Sequence, residues 1–330
     1  MADKIKIAVL LAGGCAGCEM ALVDMGDKLV DALRHLEVVF WAPTVADVKY
    51  KDLEAMPDQS IDVGFIDGMV RLSEQEHMTK VMRAKCKILI AFGICATMGS
   101  IAGMSNLHSA EELLNQGYID TFSTENPDGV LPQPEYLLDG KYNLTLPKFL
   151  DDVRTIDEIV EVDYFMGGCP PHPDFVAAAV QAIIEGKLPP KGSWITSGKA
   201  VCDVCARNPR NKGKDRLFVD KVYRTSEKAA DPDKCLLQQG LICFGPFTQG
   251  DCGASCLKVG IPCRGCGGPL PGVTDYGAKA MSVIGSILGS EEAVEELMQK
   301  YPVLAKFYYR YSYPASLVEK KRKALKYKKS

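Results

Sequence analysis

Thirteen cysteines stand in this chain of 330 residues, and eight of them fall within the 65 residues from Cys202 to Cys266. Thiols at that density pair as disulfides, shuttle redox equivalents or bind metal. An odd count and the lack of an export signal argue against a disulfide framework. The N-terminus imitates such a signal, because Lys4 and Lys6 precede an apolar run at 7–12 and then Cys15. Six apolar residues fall short of the roughly 7–15 that a signal peptide needs. The stretch reads instead as a buried strand in a cytoplasmic, reducing compartment, where many cysteines point to metal.

The spacing narrows the chemistry. Cys15 and Cys18 form one C-x-x-C pair, Cys202 and Cys205 a second, Cys263 and Cys266 a third; Cys86, Cys95, Cys169, Cys235, Cys243, Cys252 and Cys256 stand singly. A C-x-x-C pair suits two irons of one 4Fe-4S cube, and two single cysteines complete its four thiolates. Taken alone, Cys15 and Cys18 would equally suit a redox dithiol or half of a zinc site. The eight later thiols make two sets of four. A zinc ribbon would use two of their C-x-x-C pairs but would leave four cysteines over, and its pairs lie much closer in sequence than Cys205 and Cys263. Cys86 belongs to no set and reads as a structural thiol.

The elements that must position these thiols follow from hydrophobic pattern. Residues 5–12, 36–43, 61–68, 87–95 and 162–169 are short apolar runs ending in Gly, Pro, Asp or Cys, and they predict five buried parallel strands. Helical periodicity at 20–35, 73–83, 109–115 and 175–185 lies between them. Alternation of this kind predicts an α/β fold, a flavodoxin-like doubly wound parallel sheet, without the Gly-x-Gly-x-x-Gly of a dinucleotide site. Ligands of such sheets bind beyond the carboxyl ends of the strands. Cys15 and Cys18 follow the first strand, Cys95 the fourth and Cys169 the fifth, so four thiols meet at one edge. Asp67, ending the third strand, stands beside them or serves only its turn. His172 could donate to a cluster sulfide, while His35, His77 and His108 read as surface or capping residues.

From about 193 to 276 periodicity fades into an irregular, cysteine-rich segment that a sheet or helix core would not order, and bound clusters would. We therefore expect three regions: 1–190 with the first cluster, 191–290 with two more, and 291–330 as a helical extension with a basic, solvated tail. An apolar fraction of 47 % supports full-sized cores, and a net charge of −3 gives no global argument for nucleic acid. No apolar run reaches transmembrane length.

Cys15-Ala16-Gly17-Cys18-Glu19, Gly93-Ile94-Cys95-Ala96-Thr97-Met98-Gly99, Gly168-Cys169-Pro170-Pro171 and the run from Cys235 to Cys266 together resemble the small, electron-transferring subunit of nickel-iron hydrogenases over most of residues 5–270. The resemblance implies that Cys15, Cys18, Cys95 and Cys169 bind a proximal cluster facing a nickel-iron centre held by a separate large subunit. It likewise implies distal ligands at Cys205, Cys235 and Cys243, and medial ligands at Cys252, Cys263 and Cys266. This chain departs from the periplasmic pattern twice: Cys202 stands where a distal histidine is usual, and Cys256 adds a fourth medial thiol. With no twin-arginine leader, these departures resemble the cytoplasmic group of methanogens and some bacteria.

Within that group the likeness favours the methyl-viologen-reducing enzyme over the deazaflavin-coenzyme-reducing one. It implies three 4Fe-4S clusters, a small iron-sulfur electron-acceptor subunit, and delivery of electrons to heterodisulfide reductase, itself a flavin and iron-sulfur protein. Neither nucleic acid nor membrane is implied, and no residue of this chain is implied to be catalytic. The basic run of Arg207, Arg210, Lys212, Lys214 and Arg216 would steer an acidic iron-sulfur or flavin partner. Two other readings stand beside this one. A structural zinc protein with a nucleic-acid-binding tail would hold zinc in place of iron, and a respiratory quinone-reductase subunit would leave everything after Cys202 unexplained.

Overall fold

The computed structural model describes residues 4–42, 47–209 and 218–327. Strands β1 (Ile5–Leu11), β2 (Leu36–Trp41), β3 (Ile61–Asp67), β4 (Val70–Leu72), β5 (Cys86–Phe92), β6 (Glu135–Leu138), β7 (Tyr142–Thr145), β8 (Phe149–Arg154), β9 (Tyr164–Met166) and β10 (Ser193–Trp194) appear in chain order. Six of them form one parallel sheet in the order β10-β9-β5-β3-β1-β2. Its first five strands follow the flavodoxin-like order, whose ligand crevice lies where the order reverses, between β1 and β3.

Alternating side chains explain why these strands are apolar throughout. Ile7, Val9, Val63, Phe65, Ile90 and Phe92 pack one face against helices Gly17–Val23 and Pro173–Ile184. Ala8, Leu10, Ile66, Leu89 and Ala91 pack the other face against Leu53, Met78 and Met82. Both faces are covered, so no polar alternation is needed.

The predicted helix at 20–35 is two helices, Gly17–Val23 and Asp27–Ala32, because Gly26 between them takes φ +60° and breaks the helical path. The other predicted helices appear as Ser73–Lys85, Ala110–Tyr118 and Pro173–Ile184.

Two expectations for the later chain are corrected. The cysteine-rich segment packs in a hydrophobic core that it shares with Ile94 and Met98 of the first region and with Phe307 and Tyr313 of the last, through Val201, Phe244 and Phe247. Tilted and edge-on rings order it, with Phe244 5.2 Å from Phe247 and from Phe307, and Phe247 5.4 Å from Tyr276. The basic tail is not a solvated end either. Residues Leu317–Tyr327 form a helix that docks on the first region: Glu319 is fully buried, accepting from Asn106 Nδ2 at 2.9 Å, and Lys323 donates to Glu158 at 2.8 Å. Among the described residues no helix is long and apolar enough to cross a membrane.

Asp163 fixes the entry to β9. One carboxylate oxygen accepts from the Leu89 amide at 2.8 Å and from Arg83 at 2.7 Å, and the other faces Lys191 at 2.7 Å. Burial works to raise this carboxyl, but the bonds from Arg83, Lys191 and Leu89 outweigh it and hold it below the usual range. Its stabilisation is therefore complete above the unfolded carboxylate value of about 3.9 and is lost as pH falls through the folded one. Asp163→Asn should lower stability by about 3 kcal/mol at pH 7. The difference from the parent should narrow in strong acid, as urea unfolding at both pH values would show.

Candidate metal centres

The first four thiols sit where the sheet topology puts a ligand. After β1 the chain turns at Gly13, whose amide donates to Met69 O at 2.7 Å while the Met69 amide returns a bond at 2.9 Å, tying the β1 and β3 loops together. Cys15 follows, and Cys18 lies in the first turn of Gly17–Val23. Cys95 lies in helix Gly93–Met98, directly after β5. Cys169 follows β9, and the Ile94 amide donates to Gly168 O at 2.8 Å, joining the last two loops. A Cβ at Gly93, which has φ +84°, would collide with Cys18 Sγ, so only glycine leaves room for the thiol there.

All four thiols line one cavity with Asp67 and Pro170. Its volume of about 100 Å³ exceeds that of three waters at about 30 Å³ each and leaves room for a polyatomic group. Asp67 is buried, its Oδ1 has no partner among the described residues, and burial followed by the nearby Glu19 pushes its carboxyl up to about 8. Burial, then Asp67 and the other three thiols, drive Cys18 far above the ordinary thiol range. Cys95 and Cys169 are also raised, chiefly by burial, although the Ser100 hydroxyl bonds both sulfurs and opposes the shift. Four mutually repelling sulfurs in a partly dry cavity become stable as thiolates only beside positive charge, which a metal cluster supplies. The donor set, the glycine-walled space and the unpartnered Asp67 oxygen fit an iron-sulfur cluster.

The eight later thiols fall into two neighbouring groups. Cys202 feels Cys243, Cys235 and Cys205 after burial, and all three push it upward. Cys235 is raised by burial but accepts amide bonds from Gln238 and Leu237. Cys243, pushed by burial to about 11, accepts amides from Gly245 and, at 3.2 Å, from Cys263. Cys266 rises to about 12 through burial and then through Cys252, Cys169 and Cys256. Cys263, almost wholly buried, is raised by burial, then Cys243, then Cys266.

The Cys252, Cys256, Cys263 and Cys266 group therefore touches the first set through Cys169 and the Cys202, Cys205, Cys235 and Cys243 group through Cys243. Among the described residues no three His, Cys, Asp or Glu side chains are close enough to hold one metal ion. Thiolates at the corners of a cube would each take a different iron.

Other predicted residues have plain places. Cys86 begins β5, fully buried, with its thiol pushed up to about 12 by burial. His172 caps Pro173–Ile184, its Nδ1 accepting from the Asp174 amide at 3.3 Å. His77 pairs with Glu54 at 2.6 Å, His108 caps a 3-10 turn, and His35 is exposed. Arg207, expected to be unpaired, donates to the carbonyls of Leu257 at 2.8 Å and Asp231 at 2.5 Å. Arg210, Lys212, Lys214 and Arg216 lie outside the described residues. Sequence reasoning missed Ser100, whose only signal was its place five residues after Cys95. It also missed Thr248 and Tyr276, hydrogen-bonded at 2.6 Å beside Cys263.

Residues 15–183 match the family model of the NADH ubiquinone oxidoreductase 20 kDa subunit. The chain is 62 % identical over 317 residues to an F420-non-reducing hydrogenase iron-sulfur subunit of Archaeoglobus profundus, covering 96 % of this chain and 98 % of the relative. It is 34 % identical over 329 residues to an F420-non-reducing hydrogenase subunit of Methanothermobacter thermautotrophicus, covering 97 % and 98 %. The structure of a [NiFeSe] hydrogenase from Desulfovibrio vulgaris Hildenborough superposes with a TM-score of 0.51 at 17 % identity, over 82 % of this chain and 95 % of that one, a likeness of fold. Agreement along nearly the whole length of both relatives, on a sheet that gathers four thiols at its carboxyl edge, shows that the chain belongs to the family of F420-non-reducing hydrogenase iron-sulfur subunits, the small subunits of an oxidoreductase acting on H2.

Proposed function

We propose that this chain holds three 4Fe-4S clusters and connects the H2-oxidising large subunit to a soluble acceptor. Cys15, Cys18, Cys95 and Cys169 would hold the proximal cluster, Cys252, Cys256, Cys263 and Cys266 the medial one, and Cys202, Cys205, Cys235 and Cys243 the distal one. When bound, each cluster takes up and releases one electron at a time. The observation that carries this reading is the continuity of the twelve thiols, with Cys169 beside Cys266 and Cys263 beside Cys243.

The protein's own work is to bind, shield and tune. Burial of Cys18, Cys243 and Cys263 keeps water from their sulfurs, while the Gly245 amide lowers the electron density on Cys243 and the Leu237 and Gln238 amides do so on Cys235. Exposed Cys15 and Cys169 put the first set at the surface, as docking of a large subunit requires. In this reading residues 1–190 carry the entry, 191–290 the two later sets, and 291–330 the helical extension and basic tail. The acceptor would be a small iron-sulfur subunit feeding heterodisulfide reductase in the cytoplasm. That assignment draws on the motif resemblance, and the relatives' non-reduction of F420 favours it over the deazaflavin-coenzyme-reducing alternative.

Anaerobically purified complex, analysed for metal and acid-labile sulfide, should carry about twelve irons and twelve sulfides attributable to this chain. Four irons with stoichiometric zinc would overturn the two later clusters and favour the zinc reading.

A further inference from the structure

Successive thiol sets are joined by the same device. The Cys263 amide donates to Cys243 Sγ at 3.2 Å, and the Phe244 amide returns a bond to Cys263 O at 2.9 Å, so the two segments hook each other. The Cys169 amide bonds the Cys266 thiol, in loops so close that a Cβ on Gly167 would overlap the Gly267 carbonyl. In both cases the donor belongs to one set and the acceptor sulfur to the next.

We propose that these two amide-to-sulfur bonds are the electronic junctions between successive clusters, and that Gly167, Gly267 and Trp194 are positioning residues that hold the first junction closed. The inference rests on the ligand assignment above. Electronic coupling decays faster across a van der Waals gap than along covalent and hydrogen bonds. From one cysteine sulfur through its Cβ, Cα and N–H to the next sulfur there is no such gap. An amide donated to a ligand sulfur also favours the reduced cluster, so the same bond raises the potential of the accepting site.

The first junction depends on an approach that only glycine permits. A Cβ on Gly167 would strike the Gly267 carbonyl, whose carbon lies at 2.8 Å, and would meet the Trp194 ring at 3.2 Å. Gly268, at φ +87°, faces the same ring, and a Cβ there would lie at 2.8 Å from it. Trp194 is the second residue of the edge strand β10, paired with Phe165 of β9 and stacked on its ring at 5.7 Å. It clamps the Cys169 and Cys266 loops from one side.

The test uses the whole complex. Gly167→Ala should retain all twelve irons yet slow electron transfer from the first to the second cluster by about tenfold, read by freeze-quench EPR after mixing with H2. The medial potential should fall, while the proximal and distal potentials stay in place. Trp194→Leu should give the same pattern more weakly, and Gly117→Ala, where a Cβ meets nothing within 4 Å, should change nothing. Unaltered transfer in a fully loaded Gly167→Ala complex, or equal shifts of all three potentials, would overturn the proposal. Should neither junction variant assemble, hydrogen exchange of the unsubstituted complex decides: slow Cys169 and Cys263 amides support the junctions, and fast ones refute them. A deficit of iron in the unsubstituted complex would overturn the ligand assignment instead.

Discussion

Cys169→Ser should stop electron exit from the complex while leaving H2 activation at the large subunit intact. Cys169 lines the first cavity, shares Ser100 with Cys95, and gives its amide to Cys266. In the proposed reading, loss of its sulfur therefore damages both the first thiol set and the step beyond it. Dye reduction dependent on H2 should fall by about 100-fold or more, whereas hydrogen-deuterium exchange at the large subunit should persist. Cys86→Ala is the matched control. That thiol, unlike Cys169, is fully buried; it lies under Gly64, where a Cβ would already crowd it, and among the described residues burial and Arg83 alone shift it. Its replacement should cost about 1 kcal/mol in packing and no iron. Iron loss in Cys86→Ala would show that the grouping into three sets of four is wrong.

The four thiols of the first set were legible in the sequence because a physical rule links strand ends to ligand sites. Runs such as that of Ile5–Leu11 are apolar on both faces, which marks a buried parallel strand, and the residues that follow must lie at the carboxyl edge. What stayed hidden depends on partners remote in sequence. Strand β10 has two residues and no pattern, yet it supplies Trp194. The hairpin of β6 and β7, exposed along both strands, carries no alternation that marks one buried face. Lysines and arginines after residue 319 suggest solvent when read in order, because Asn106, Asp152 and Glu158, which pair with that helix, lie more than 150 residues earlier. The order in which the three sets touch came from the family resemblance and from no periodicity, since it rests on Cys169 meeting Cys266 and Cys263 meeting Cys243 across loops of no regular form.

Glu319→Ala should loosen the whole docked tail and, through it, the first thiol set. The fully buried carboxylate of Glu319 accepts from Asn106 Nδ2, and from Arg322 Nε at 2.6 Å, while Arg322 also bonds Asp152. Asn106 in turn holds β8, accepting from the Val153 amide at 2.7 Å and donating to the Val153 carbonyl at 2.9 Å. Removing one member of such a buried network leaves the others charged or unpaired, at a loss of about 3–5 kcal/mol. The effect reaches the first thiol set through Pro314, which precedes this helix and fills a cradle formed by Gly99 and Gly103, next to Ser100. Undocking the helix frees Pro314, and Ser100 then loses the backing that keeps its hydroxyl on Cys95 and Cys169. If the chain holds the twelve irons proposed above, the variant should release about four of them to a chelator faster than the parent, with the remaining eight released at the parental rate. Glu319→Gln keeps an acceptor for Asn106 and should fall between the two. Uniform loss of all twelve irons would mean that the helix supports the molecule generally and has no particular grip on the first site.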